Sequence, residues 1–186
     1  MERSNTSVKF GIGSPLPNFT LPSVDNENIN STQFFSGTKA GLIIFTCNHC
    51  PYVKGSEEAL NKAVLEFQPL GLKVLAISSN DVAQYPDDGF EKMKEKSIQL
   101  NLQYPYLYDE TQDVAKSFDA ACTPECYLFD SEQKLAFHGT INDSPRDASK
   151  ATHGYLAQAI KQLLNGKKPN PDFFHPIGCS IKWKSV

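Results

Sequence analysis

The sequence predicts an α/β protein with a central mixed sheet flanked by helices, and the order of its apolar segments carries the prediction. Residues 42–45 and 72–78 are apolar runs with the length of buried strands. The segment between them repeats apolar residues at the i, i+3, i+4, i+7 spacing of a helix face. Strands joined this way run parallel, with a right-handed crossover. Two further runs, 126–130 and 135–138, flank a short polar turn and predict an antiparallel hairpin.

The chain before the first of these strands is expected to be irregular. Because proline lacks a backbone donor, the proline-rich residues 13–23 suit edge strands and turns. A turn is predicted at 25–28 and a helical turn at 31–35. Since 186 residues with 40% hydrophobic content can bury one good-sized core, we expect a single domain over residues 1–186.

The elements after the second strand complete the predicted order. Residues 90–100 indicate an exposed, lysine-rich helix, residues 105–108 a short strand, and residues 114–118 a short helix. A last helix at 156–164 ends before Gly166, a natural C′ residue. The predicted division is an N-terminal extension at 1–36, a core at 37–165 with an insertion at about 79–104, and a docked C-terminal tail at 166–186.

Composition and charge exclude some classes of partner. The formal net charge is -3 and no basic block is present, so neither nucleic acid nor an anionic membrane surface is expected. No window approaches the roughly 18 apolar residues of a membrane span, and residues 1–7 precede no apolar segment. We expect a cytoplasmic protein, or a periplasmic one if a signal peptide was removed. Five cysteines, an odd number, argue for catalysis or metal binding over a purely structural disulfide framework.

The motif with the clearest chemistry is a Cys-x-x-Cys pair, Cys47 and Cys50, at the predicted strand-to-helix junction. Free backbone N–H groups and the helix dipole favour a thiolate there. Cys47, taken as nearest the helix terminus, is the predicted nucleophile, and Cys50, one turn into the helix, is the predicted resolving thiol. His49 is expected to help stabilise the thiolate. Pro51 fits the first helical turn because it has no N–H to lose.

A structural zinc site is the alternative interpretation of these cysteines. Cys47 and Cys50 with Cys122 and Cys126 would supply four thiolates. We favour redox chemistry because the first pair follows a buried strand and opens a helix. If residues 122–126 are extended, their ends lie roughly 13 Å apart, beyond the about 7 Å limit for a disulfide. Cys126, inside a predicted strand, is expected to be a small buried apolar residue.

Several motifs together resemble a known fold family. The strand, Cys47-x-x-Cys50 and helix, then Thr123-Pro124 directly before a hairpin and a closing helix, resemble the thioredoxin fold. The segment Pro17-x-Phe19-x-Leu21-Pro22 and the inserted helix resemble its redoxin branch, the alkyl hydroperoxide reductase/thiol-specific antioxidant relatives and membrane-anchored reductases. The ending 178–184, Gly-Cys-Ser-Ile-Lys-Trp-Lys, is similar to that of a peroxiredoxin-like thioredoxin group.

The resemblance implies thiol–disulfide exchange through a redox-active disulfide, with no other cofactor and no metal. The implied partners are a protein or small-molecule disulfide and an unidentified electron donor, either a thiol or a reductase of the thioredoxin-reductase type. Pro124 is expected to be cis and to face Cys47. The residues expected to tune the site or contact substrate are Thr46, Asn48, His49, Pro51, Thr123 and Pro124.

Two other functions compete with exchange. Peroxiredoxins carry Pro-x-x-x-Thr-x-x-Cys before the peroxide-reactive thiol, and here Ala40 and Ile44 stand at the proline and threonine positions. Thr46 offers a hydroxyl but is expected on the opposite side of the strand from position 44. We therefore rank exchange above a peroxiredoxin-like thiol peroxidase or antioxidant function. A non-catalytic thioredoxin-fold module that senses redox state or binds metal is the second alternative.

Two further thiols and one loop are candidates near the site. Cys122, two residues before Pro124, is an accessory-thiol candidate because it should lie close to Cys47. Cys179 lies in the tail, where docking would either bring it to the site or only cover a sheet edge, and the structural role is favoured. The loop 143–146 is expected near the Cys47 edge.

Overall fold

The computed structural model describes residues 10–185, so the first nine residues of the predicted N-terminal extension and Val186 lie outside this description. The strands are β1 (Thr20–Pro22), β2 (Asn28–Asn30), β3 (Ala40–Phe45), β4 (Leu72–Ser78), β5 (Tyr106–Tyr108), β6 (Cys122–Thr123), β7 (Glu125–Phe129), β8 (Leu135–Gly139) and β9 (Cys179–Ser180). The α-helices are α1 (Ser31–Phe34), α2 (Pro51–Phe67), α3 (Phe90–Gln99), α4 (Asp113–Ser117) and α5 (Tyr155–Leu164).

The central sheet has five strands in the order β5-β4-β3-β7-β8. β3 and β4 are parallel, as are β4 and β5, whereas β7 runs antiparallel to both β3 and β8. The predicted mixed sheet, the parallel unit around α2 and the hairpin are therefore confirmed. β1 with β2, and β6 with β9, form two small antiparallel pairs outside this sheet.

β3 lies at the centre of the core, and all six of its residues are buried. Leu42 and Ile44 pack into an apolar cluster with α2 and α5, while Ile43 and Phe45 face a second cluster that includes Phe118. Fully burying side chains of this size stabilises the fold by about 1.5–3 kcal/mol each. The carboxyl end of β3, where Cys47 follows, is thereby fixed on both faces.

Helix α2 begins later than the sequence indicated. Its first residue is Pro51, and Cys50 is the N-cap with extended backbone angles. The prediction that Cys50 lies one turn into the helix is therefore wrong. Proline is favoured at the first helical position because its φ is already helical and its missing N–H costs nothing there. Both cysteines consequently lie in the loop that joins β3 to α2.

The chain after α5 returns to the central region and packs beside β6. The N–H of Ile181 donates to Ala121 O (3.0 Å), and the N–H of Lys182 donates to Asn80 Oδ1 (2.8 Å). Gly178 lies so close to the backbone of Thr123 that any Cβ would overlap its carbonyl group. The glycine is therefore required by close approach. Within residues 10–185, no helix is long and apolar enough to cross a membrane.

This contact predicts the effect of Gly178→Ala. The added methyl group must displace the Thr123 carbonyl or the tail, and overpacking of this kind costs about 1–3 kcal/mol. Urea unfolding should show that loss in the free energy of unfolding. Gly11→Ala is the control, because a Cβ there meets no neighbour within 4 Å. Equal stabilities of the two variants would contradict the packing described.

Candidate active site

The loop between β3 and α2 presents two thiols that solvent scarcely reaches. Cys47 is 1% exposed and Cys50 is fully buried. Thr46 extends the pairing of β3 with β4 by one residue, because its N–H donates to Ile77 O of β4 (2.8 Å). Within residues 10–185, no disulfide joins any two of the cysteines. The site is therefore described in its reduced state.

Thr123 contacts both thiols of the pair. Its hydroxyl Oγ1 lies 3.3 Å from Cys47 Sγ, and its carbonyl O lies 3.2 Å from Cys50 Sγ. The Thr123–Pro124 peptide bond is cis, as the resemblance implies. The predicted neighbours Thr123 and Pro124 thus come from the turn between β6 and β7, almost eighty residues along the chain from the cysteines.

A buried carboxylate that the sequence did not reveal holds the cysteine loop. Asp88 is fully buried, and its Oδ1 accepts the N–H groups of Asn48 (2.6 Å) and His49 (3.2 Å). Its Oδ2 accepts from Asn80 Nδ2 (2.8 Å) and pairs with His49 Nδ1 (2.6 Å). Asp88 comes from the insertion after β4, where several acidic and amide residues occur together. Only tertiary structure distinguishes it from its neighbours.

The two side chains between the cysteines, those of Asn48 and His49, contact residues from other parts of the chain. Asn48 accepts the Tyr106 hydroxyl at Oδ1 (3.1 Å) and donates from Nδ2 to Asp87 O (2.8 Å). The ring of His49, one-quarter exposed, stacks on Tyr85 with centroids 5.2 Å apart. Asn48 and His49 therefore fix the shape of the loop.

The two thiols lie in one buried cluster, and their pKa values shift in opposite directions. The pKa of Cys47 is raised by the hydrogen bond to Cys50, by burial and by the negative charge of Asp88. The pKa of Cys50 is lowered to about 4, chiefly by the Cys47 thiol, with the Cys179 thiol and the Val53 N–H as further donors. The Thr123 carbonyl accepts from the Cys50 thiol and therefore favours its protonated form. The effect of the donors is larger, so the pKa of Cys50 is lowered. The pair holds one proton, and the lowered pKa predicted for Cys47 belongs to Cys50.

A second buried carboxylate supports the turn that carries Thr123. Burial opposes ionisation of Glu125, but hydrogen bonds from His138 and from the N–H groups of Ala121 and Cys122 lower its pKa. The two N–H groups lie 2.8 and 3.0 Å from Oε2, and His138 Nε2 lies 2.7 Å from Oε1. Tyr127 completes the set with its hydroxyl at 2.8 Å. Glu125 could not be predicted from the sequence, because one acidic residue at the start of a strand carries no specific signal.

The four-cysteine zinc site is not assembled. Cys126 is fully buried among Leu42, Ile44 and other apolar residues, away from the cluster that contains Cys47 and Cys50. Burial raises its pKa, as expected for a small apolar core residue. Among residues 10–185, one group of potential ligands comes within 4.8 Å, namely Cys47, His49 and Asp88. Its carboxylate already accepts four hydrogen bonds.

Thr46 and the loop 143–146 complete the surroundings. Thr46 and Ile44 line the same small apolar cavity, so the prediction that they lie on opposite sides of the strand is wrong. Residues two apart in an extended chain point to the same side. Pro145 O accepts the Ser56 hydroxyl (2.8 Å), which places the loop 143–146 on the first turns of α2.

The two accessory-thiol candidates lie on neighbouring strands. Cys122, in β6, is buried and stands opposite Ser180 of β9. Cys179 stands opposite Thr123 in the same pair, is partly exposed, and packs against the cluster of Cys47, Cys50 and Val53. Both strands therefore border the site, and Cys179 contacts the cysteine pair itself.

Fold and site together define a thioredoxin-fold protein with a Cys-x-x-Cys motif beside a cis-proline turn. The chain belongs to the AhpC/TSA family, whose model matches residues 12–138. It is accordingly a thioredoxin-like redoxin, of thiol–disulfide oxidoreductase or peroxiredoxin-like type. Proteins of this class use cysteine chemistry without a prosthetic group in general.

Solved structures support this placement. An uncharacterized conserved protein from Geobacillus kaustophilus is 40% identical, with 95% of this chain and 94% of that chain covered and a TM-score of 0.89. A hypothetical protein from Sinorhizobium meliloti is 33% identical, with 95% and 97% covered and a TM-score of 0.89. The thioredoxin domain of a thiol-disulfide oxidoreductase from Bacteroides vulgatus shares the fold at 19% identity, with 69% and 88% covered and a TM-score of 0.59. No curated protein matches the chain.

The shared proton predicts an acid titration. Because the pKa of Cys50 is lowered, its thiolate is present above pH about 4 and is lost as the pH falls through that value. The ultraviolet absorbance of the thiolate, followed from neutral to acid pH, should show this single transition.

Two variants assign the transition. Cys50→Ser should remove it, whereas Cys126→Ala, which alters a core cysteine outside the site, should leave it in place. A first thiolate that appears only near the ordinary cysteine pKa of about 8.5 would contradict the shared-proton arrangement.

Proposed function

We propose that this protein is a thiol–disulfide oxidoreductase in which Cys47 and Cys50 form the redox couple. The observation that carries the proposal is that Cys47 and Cys50 lie in one buried cluster and that both thiols contact the same residue, Thr123.

In the proposed reaction, the shared proton moves to Cys50 along the hydrogen bond as Cys47 attacks a substrate disulfide. A bond forms between Cys47 Sγ and one substrate sulfur, and the other substrate sulfur leaves as a thiolate. Cys50 then gives its proton to the substrate thiolate that has left and attacks Cys47 Sγ, which releases the second substrate thiolate. Two electrons have passed to the substrate, and Cys47 and Cys50 are joined.

The assignment of roles follows from position along the loop. Cys50 is fixed at the N-cap of α2 and fully buried, so it suits the resolving step. Cys47, next to the end of β3, is also covered, and a substrate must displace neighbouring side chains to reach it. Asn48 and His49, which follow Cys47 in the loop, are both partly exposed. The proposed substrate is a protein or small-molecule disulfide, and the proposed donor is a thiol or a reductase of the thioredoxin-reductase type.

The family match favours a second candidate, a thiol peroxidase. Against it, position 44 is occupied by a buried isoleucine, so the hydroxyl that orients peroxide in peroxiredoxins is absent from that place. Cys47 Sγ instead contacts the hydroxyl of Thr123, which comes from another element. Exchange therefore remains the first candidate.

The decisive variants are Cys47→Ser and Cys50→Ser in an insulin-reduction assay. Cys47→Ser should abolish turnover because no sulfur can attack the substrate. Cys50→Ser should instead accumulate a mixed disulfide at Cys47, detectable by mass spectrometry, because the resolving attack is lost.

Cys126→Ala should retain turnover and serves as the control. Equal residual activity in both serine variants would exclude the proposed roles and favour a non-catalytic module. Rapid consumption of peroxide with a thiol donor would place the peroxidase first.

A further inference from the structure

We propose that Cys179 is a third redox-active thiol, which forms a disulfide with Cys50 and passes electrons between the buried pair and the protein surface. This inference rests on the proposed exchange function and extends it to the route by which the pair is reduced again. It requires only a thiol electron donor, either a dithiol or two monothiols.

The strand pair β6 and β9 brings Cys179 to the site. In its register, Cys179 stands opposite Thr123, the residue that contacts both sulfurs of the Cys-x-x-Cys pair. Cys179 also packs directly against the cluster of Cys47, Cys50 and Val53. The third thiol therefore lies beside the pair that Thr123 contacts.

The tail holds Cys179 in this position through residues on both sides. Gly178 packs on the Thr123 backbone, and Ile181 is 3% exposed. Lys182 accepts from the Asp81 N–H at its carbonyl (2.8 Å). A segment fixed by a strand pair, a buried side chain and several backbone hydrogen bonds presents its thiol with little loss of conformational entropy. Cys179 is thus positioned for exchange.

Accessibility distinguishes the three thiols. Cys47 is 1% exposed and Cys50 is fully buried, whereas Cys179 is partly exposed. Thiol–disulfide exchange requires the attacking thiolate to reach a sulfur atom. A donor can therefore reach Cys179 without opening the buried pair.

The proposed transfer keeps electrons in balance. After a substrate has been reduced, Cys47 and Cys50 form a disulfide. The Cys179 thiolate attacks Cys50 Sγ, the bond between Cys50 and Cys179 forms, and Cys47 leaves as a thiolate with the electron pair of the broken bond. This step is an isomerisation without net oxidation.

Re-reduction then takes place at the surface. A donor thiolate attacks Cys179 Sγ, and Cys50 leaves as a thiolate. A second donor thiolate attacks the donor sulfur of the mixed disulfide and frees Cys179. The donor has become a disulfide, and its two electrons have regenerated the three thiols.

The electrostatics support this order of events. In the reduced protein, burial, the hydrogen bond to Cys50 and the charge of Cys50 raise the pKa of Cys179 to about 11, while Lys182 and Arg146 oppose the shift. Oxidation of Cys50 removes its charge and its hydrogen bond, so Cys179 ionises more readily when the pair is oxidised.

The first test traps the disulfide without any need for turnover. The full chain carrying Cys47→Ser is equilibrated with oxidised and reduced glutathione, quenched with acid and mapped by mass spectrometry of its peptides. We expect an intramolecular disulfide between Cys50 and Cys179. The variant with both Cys47→Ser and Cys179→Ser should carry glutathione instead. A disulfide between Cys50 and Cys122, or none, would overturn the inference.

The second test separates this inference from the proposed function. Cys179→Ser should still give a stoichiometric burst of substrate reduction, since that step uses Cys47 and Cys50, but its steady-state rate with a dithiol donor should fall several-fold. Ser180→Ala, at the exposed neighbouring position of β9, is the control and should match the unaltered protein. A normal burst with a normal steady-state rate would overturn the role of Cys179 alone. Absence of a burst in the unaltered protein would exclude the proposed function instead.

Discussion

The arrangement of the site depends on Thr123, because this one residue joins three separate parts of the chain. Its hydroxyl contacts Cys47, its carbonyl contacts Cys50, and its backbone pairs with Cys179. The contacts require the end of β3, the start of α2 and the returning tail to meet at the turn between β6 and β7. The buried core around β3 fixes the end of that strand and therefore the position of the cysteine loop.

Two buried carboxylates, Asp88 and Glu125, stabilise the backbone segments that meet there. Asp88 binds the backbone of the cysteine loop, and Glu125 binds the backbone before Thr123. Buried N–H groups that lack partners cost about 1–3 kcal/mol each, so these carboxylates make irregular backbone tolerable inside the protein. The negative charge of Asp88 also contributes to the raised pKa of Cys47, after the hydrogen bond to Cys50 and burial.

Local sequence patterns predicted the fold, but they predicted only part of the site. Strand periodicity and the spacing along α2 predicted the sheet and its parallel unit, because those signals arise from neighbours in sequence. The Cys-x-x-Cys pair and Thr123-Pro124 were visible as motifs. Asp88 and Glu125 were not, because their partners are backbone groups supplied by tertiary structure. For the same reason, the contact of Cys179 with the cysteine pair could not be predicted, because it depends on how β9 of the tail pairs with β6.

The central claim is that Cys47 and Cys50 form a reversible two-electron couple, and the reduction potential of that couple tests it most directly. The protein is equilibrated in glutathione redox buffers, and the fraction of disulfide is measured after acid quench and alkylation. We expect one reversible transition, with a tenfold change in the ratio of oxidised to reduced pair per about 30 mV and a midpoint between about -120 and -270 mV. Irreversible oxidation of Cys47, or no disulfide between Cys47 and Cys50 at any potential, would contradict it.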